Sequence, residues 1–240
     1  MKARGGIKPR GRQSAPRDQH ESAFAAILGD LVKRVPGARS AALVDRDGET
    51  VDYSGRGNPY EMRVAAAHFR IVLDEARGQA SLGDVRSIVA RAARASFAVQ
   101  ALPDGYALVV RLARGAGFRG LGRAIPVCIQ WLADEAGWPA ARSPWYAVDV
   151  VSDERGTPRL ARVVGQTGGA SGALSTPVEV LGRYRAALPE HERAWRVRLP
   201  SGVELTLLQE STGFWYVDEP LIPRVSGDTE RPPQRAKKNL

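Results

Sequence analysis

One cysteine, two methionines and three histidines are all the soft or imidazole ligands that the 240 residues provide. Cys128 has no partner for an internal disulfide, which points to a reducing compartment and places the chain in the cytoplasm. It stands among Ile125, Ile129 and Leu132 with no Lys or His nearby to lower its pKa, and so reads as a buried structural thiol rather than a nucleophile. His20, His68 and His191 have no ligand spacing to one another or to Cys128, so no metal set is expected, and nothing calls for a cofactor. No run of about 18 apolar residues is present, which argues against a membrane-spanning helix. The basic N-terminus lacks the apolar segment of a signal peptide.

Charge is abundant but unevenly placed. The formal net charge is +9, yet residues 1–20 hold six bases against Asp18, and residues 221–240 hold five bases against Asp228 and Glu230. The part between is close to neutral, without the basic stripe that a nucleic-acid-reading fold requires. Contact with nucleic acid, acidic lipid or an acidic partner is therefore expected through the tails only, falling with salt. Neither tail interleaves aromatics for base stacking. Arg supplies 30 of the 35 bases, a bias that phosphate recognition and a GC-rich genome explain equally well.

Catalytic patterns are absent too, and the chain reads as a non-enzyme. Gly165 to Gly172 resembles a phosphate loop without the Lys that such a loop needs before Ser or Thr. It also misses a nucleophile elbow, since Ala173 stands where the second glycine belongs. Asp45, Asp47 and Gly48 lack the remaining ligands of a calcium loop and are explained by a hairpin turn. A flexible loop and a turn account for both.

What is present is periodicity, with 43% hydrophobic residues to fill cores. Residues 1–21 read as a disordered basic tail. Phe24, Ile27, Leu28, Leu31 and Val35 then share one helical face, closed by Pro36 and Gly37. Ala41 to Val44 and Thr50 to Tyr53 flank an Asp-Gly turn and predict a hairpin. Asn58, Pro59 and Glu61 supply a cap, a first-position proline and a first-turn acid for a second helix. Met62, Ala65, Ala66, Phe69, Val72, Leu73 and Ala76 hold its face as far as Gly78, and Ala65 to Ala67 admit close packing. That packing is read either against the chain's own sheet or as a dimer seam.

Val85 to Ala90, Ser96 to Leu102 and Tyr106 to Leu112 predict three strands, the last two joined by Pro103, Asp104 and Gly105. A final helix is expected from Phe118 to Gly137, with Pro126 kinking it or delaying its start. Residues 22–138 thus form one unit and 139–144 a linker. Residues 145–222 read as a small second α+β module of unknown function. Its expected elements are strands near Trp145 to Val151, Leu160 to Val164, Trp195 to Leu199, Val203 to Leu208 and Phe214 to Val217, with a helix over Val178 to Leu188. Trp138, Trp145, Trp195 and Trp215 are expected to fill its core. Residues 223–240 read as a second disordered basic tail.

The ordered set in residues 22–137 resembles the Roadblock family, the dynein light chain and Mgl-type domains. It rests on Val35-Pro36-Gly37 closing the first helix, Ala42 to Gly48 through the first hairpin, the Ala-rich second helix, and Leu102 to Val110 across the last hairpin. The resemblance implies a fold of helix, hairpin, helix, three strands and helix, with a mixed sheet and helices packed on it. It also implies a homodimer in which second helices and third strands meet, with Met62, Ala65, Ala66, Phe69, Val72, Val85 and Ile88 at the interface. The partner it implies is a small Ras-like GTPase, whose hydrolysis family members stimulate by reshaping its switch loops. The docking surface expected here combines the second helix with the loop before it: Tyr53, Ser54, Arg56, Asn58, Tyr60 and Arg63. Arg56 and Arg63 are either surface arginines or arginines offered to the GTPase in trans. The alternative reading is a scaffold of a polarity, motility or signalling complex that touches no GTPase.

Overall fold

The computed structural model describes residues 21–118, 120–139, 143–164, 175–184, 188–189, 191–219 and 221. Both tails and the Gly165–Gly172 loop lie outside these. The first body contains α1 (Ala23–Arg34), β1 (Ala38–Val44), β2 (Thr50–Gly55), α2 (Pro59–Arg77), β3 (Ser87–Arg91), β4 (Ala95–Ala101), β5 (Ala107–Ala113) and α3 (Leu121–Ala136). This is the order expected from the periodicity.

Its strands form one sheet in the order β2-β1-β5-β4-β3, and every pairing is antiparallel. The mixed sheet of the expectation is corrected to an antiparallel one: three hairpins, β1–β2, β3–β4 and β4–β5, reverse the chain between neighbours, and the long α2 crossover carries it to the far edge, where β3 runs in the direction of β2 without pairing with it. Alternation in the central strands serves both faces. Ala41, Leu43, Leu108, Val110 and Leu112 pack against α1 and α3, whereas Ala42, Val44, Ala107 and Val109 pack against α2. Strands buried on both sides read as continuous apolar runs, as β1 and β5 do.

The local signals hold in detail. Ser22 caps α1, accepting from the Ala25 N–H at 3.3 Å, and Asn58 caps α2, accepting from Tyr60 at 2.9 Å. Gly48 takes φ 84°, as the first hairpin turn requires. Pro126 sits inside an α3 that begins at Leu121, three residues after Phe118. On α2, Arg70 donates from Nε to the Gly105 carbonyl at 2.9 Å, which fastens the helix to the β4–β5 hairpin.

The second body is a single antiparallel sheet: β6 (Tyr146–Ser152), β7 (Pro158–Val163), β8 (Thr176–Pro177), β9 (Glu179–Arg183), β10 (Arg193–Arg198), β11 (Glu204–Gln209) and β12 (Trp215–Val217). Their order is β8-β7-β6-β12-β11-β10-β9, and the sheet curls until β7 lies near β9, a partial barrel. The helix expected over Val178 to Leu188 is corrected: Glu179–Arg183 is strand, paired with β10. Among the described residues this body holds strands alone, not the α+β mixture expected. Trp195 and Trp215 stack in its core at 5.1 Å. Trp138 and Trp145 do not join them. Trp138 packs on Tyr106 in the first body, at 4.6 Å, and Trp145 lies beside the junction of the two.

Candidate functional site

α3 has two apolar faces, and both are covered. Leu121, Ala124, Cys128 and Leu132 enter the first core, while Val127 and Trp131 meet Ala147, Phe214 and Tyr216 of the second sheet. Two arginines fix this junction. Arg34 is 4% exposed and pairs with Asp30, and its guanidinium lies 4.9 Å from the Phe214 ring and 5.7 Å from Trp131. Burial opposes its charge, but the interactions of Asp30 and Tyr216 together hold its pKa above the ordinary value. Arg123 binds both oxygens of Glu192 at 3.0 Å and Glu210 at 3.0 Å, above the Trp145 ring. The face made by α1 and α3 is therefore occupied by the chain itself.

The opposite side is open. α2 buries Met62, Ala66 and Leu73 on its own sheet, and Phe69 stacks on Phe97 at 4.4 Å. The helix nevertheless carries a second apolar stripe. Tyr60, Val64 and Ile71 are 68%, 52% and 56% exposed and fall on the face directly away from the sheet, with the half-buried Ala67 between them. A helix that is apolar on both sides ordinarily has both sides covered. β3 forms the edge of the sheet, with Ile88 half-buried on the α2 face and Val89, 53% exposed, on the α3 face. An exposed apolar edge strand is a template for pairing.

Against this geometry the expected interface residues divide. Met62 and Ala66 belong to the chain's own core, so for them the close-packing reading, not the seam, describes the structure. Ala65, Phe69, Val72, Val85 and Ile88 are half-buried along its border. Tyr53 is buried beneath α2, because β2 alternates and turns that side chain inward. Ser54 is half-buried, and Arg56, Asn58 and Tyr60 are exposed on the loop and first turn. Arg63 is half-buried in the next turn. Val64, Ile71 and Val89 were not singled out from the sequence. The seven-residue spacing of Val64 and Ile71, one face of a helix, was the available signal.

Among the described residues no cluster of His, Cys, Asp or Glu is placed to hold a metal ion. No helix among them is long and apolar enough to cross a membrane. The surface offers shape and apolar area rather than reacting groups.

About half of the chain is similar to solved structures of the Roadblock type. A Roadblock/LC7 domain from Streptomyces avermitilis is 23% identical, with 47% of this chain and 97% of that one covered and a TM-score of 0.41. Myxococcus xanthus MglB is 16% identical over 50% of this chain and 98% of that one, with a TM-score of 0.43. The gliding protein MglB from Thermus thermophilus is 18% identical over 49% and 95%, with a TM-score of 0.41. No family model and no curated protein matches. The C-terminal part has no assigned counterpart.

Proposed function

We propose that this chain is a non-catalytic adaptor of the cytoplasm that dimerises through α2 and β3 and presents the dimer to a small Ras-like GTPase. The observation that carries this reading is the uncovered apolar stripe Tyr60, Val64 and Ile71, together with an uncovered edge strand, on a body whose α3 is covered by the second sheet. An exposed apolar helix face marks a protein partner. The resemblance carried by residues 22–137 supplies the class of partner. In this reading Val64, Ala67 and Ile71 form the centre of the dimer seam, with Ala65, Val72, Val85 and Ile88 at its flanks. Ser54, Arg56, Asn58, Tyr60 and Arg63 form the rim that meets the GTPase. Residues 22–138 are the dimerising and GTPase-binding unit. Residues 145–222 are a second module that the Arg34 and Arg123 contacts hold in fixed relation to it.

The test has two parts. Sedimentation is expected to show a dimer for the parent chain and a folded monomer for Val64→Glu/Ile71→Glu. A Ras-like GTPase from the same genome, loaded separately with GTP and GDP, is expected to bind the dimer with affinities that differ between the two states. Equal affinity for both, or no binding, would transfer the chain to the scaffold reading. A monomeric parent at high concentration would remove the seam.

A further inference from the structure

The far edge of the first sheet, at β2, gathers charge that no acid balances. α1 ends at Arg34, and the chain turns through Val35, Pro36 and Gly37 into β1. β2 returns beside β1 and ends at Gly55, after which the Arg56 N–H donates to the Arg39 carbonyl at 2.6 Å. Arg39 and Arg56 therefore face each other across the end of the hairpin. Lys33, in the last turn of α1, lines the same cleft of about 600 Å³.

All three cations are exposed, and none forms an ion pair with an acid of the described residues. The nearby acids are engaged elsewhere: Asp30 by Arg34, Asp52 by the Ser22 hydroxyl, and Glu61 by Arg111. Like charges set opposite across an antiparallel pair repel. The C-terminal dipole of α1 offsets about half of one charge and leaves the rest. Such a cluster is more comfortable with an anion between its members than without one.

The remaining walls say what kind of anion. Ser54 lines the cleft, and Gly29 sits against it, since a Cβ on Gly29 would lie 3.0 Å from the Ser54 hydroxyl oxygen. Val32, half-buried at the end of α1, closes the other side with apolar surface. Two guanidinium forks and an ammonium match the oxygens of a phosphate better than a single carboxylate does. We propose that this cleft binds a small phosphate monoester. Its phosphate group is held by Lys33, Arg39, Arg56 and the Ser54 hydroxyl, and its organic part lies on Val32. The site shares Ser54 and Arg56 with the proposed GTPase rim but needs neither the α2 stripe nor a dimer, and titration with small phosphates in the absence of any GTPase reads it separately from that proposal.

The experiment titrates the full chain by calorimetry at low ionic strength with inorganic phosphate and, separately, with phenyl phosphate. Saturable one-to-one binding is expected, with phenyl phosphate about threefold or more tighter, because the apolar wall adds area. Arg39→Gln/Arg56→Gln is expected to weaken both about tenfold or more, and Lys33→Gln alone by a smaller factor. Thermal unfolding confirms that each variant is folded, and the Lys33 variant serves if the double variant is not. Equal affinity for the two probes would overturn the ester in favour of free phosphate. Absence of saturation by about 10 mM, or affinities unchanged in both variants, would overturn the site altogether.

Discussion

Cys128 and Glu210 show how much a single residue reveals before and after folding. The apolar neighbours of Cys128 predicted a buried structural thiol, and the structure places it in the first core, where burial pushes its pKa up and keeps it unreactive. Nothing near Glu210 in the sequence predicts that it is buried, because its partner Arg123 lies 87 residues away. Burial lifts the Glu210 carboxyl above the ordinary range, against the opposing pull of Arg123. An acid with a raised pKa binds its proton more tightly in the folded state. Its contribution therefore favours the fold at low pH and is lost as the pH rises through the raised value. Gln at this position stays neutral throughout. Relative to the parent, Glu210→Gln is thus expected to gain stability as the pH is raised from about 4 to about 8. Urea titrations at stepped pH check this, and a difference that stays flat would contradict it.

Elements were legible where their signals are local. The start of α2 is written in Asn58-Pro59-Tyr60-Glu61, and the cap forms as read. Asn58→Ala removes the acceptor of the Tyr60 N–H, and a loss of about 1 kcal/mol is expected by chemical denaturation. At β9 the local signal misleads, because Val178, Leu181 and Tyr184 recur every three residues, a spacing that also fits one face of a helix. Val180 and Gly182 instead pair with Val197 and Arg196 of β10, while the Val178 N–H donates to the Arg159 carbonyl at 3.0 Å. Tertiary pairing overrides local propensity at short segments. Gly55 is a further case. With φ 118°, and with a built Cβ only 2.3 Å from the Arg39 carbonyl, the strand ends where it does because only glycine permits that approach.

At the scale of the whole molecule, the decisive feature is the junction between the two sheets. Arg34 joins them by lying among Trp131, Phe214 and Tyr216 while its charge is met by Asp30. Burial also pushes the Tyr216 phenol up to about 12, so this ring remains neutral beside it. Arg34→Ala strips Asp30 of its partner and opens a gap between the rings. A loss of about 3 kcal/mol is expected, discounted toward the lower end because Asp30 is partly exposed. The parent is expected to unfold in one transition by tryptophan fluorescence and by circular dichroism. In the Arg34 variant the two probes separate, and coincident probes there would mean that the bodies are coupled by other contacts.

Local signals along the chain establish the order and type of elements in the first body, with their caps and turns. Those properties depend on neighbours within a few residues, through periodicity, capping and turn chemistry. Only the tertiary structure decided that Met62 and Ala66 point inward while Val64 and Ile71 remain open. It also decided that the second body is a curled sheet covering α3, and that Lys33, Arg39 and Arg56 share one cleft. Each of these depends on which faces meet across tens of residues, and a linear pattern fixes the faces of a helix without fixing what each of them will touch.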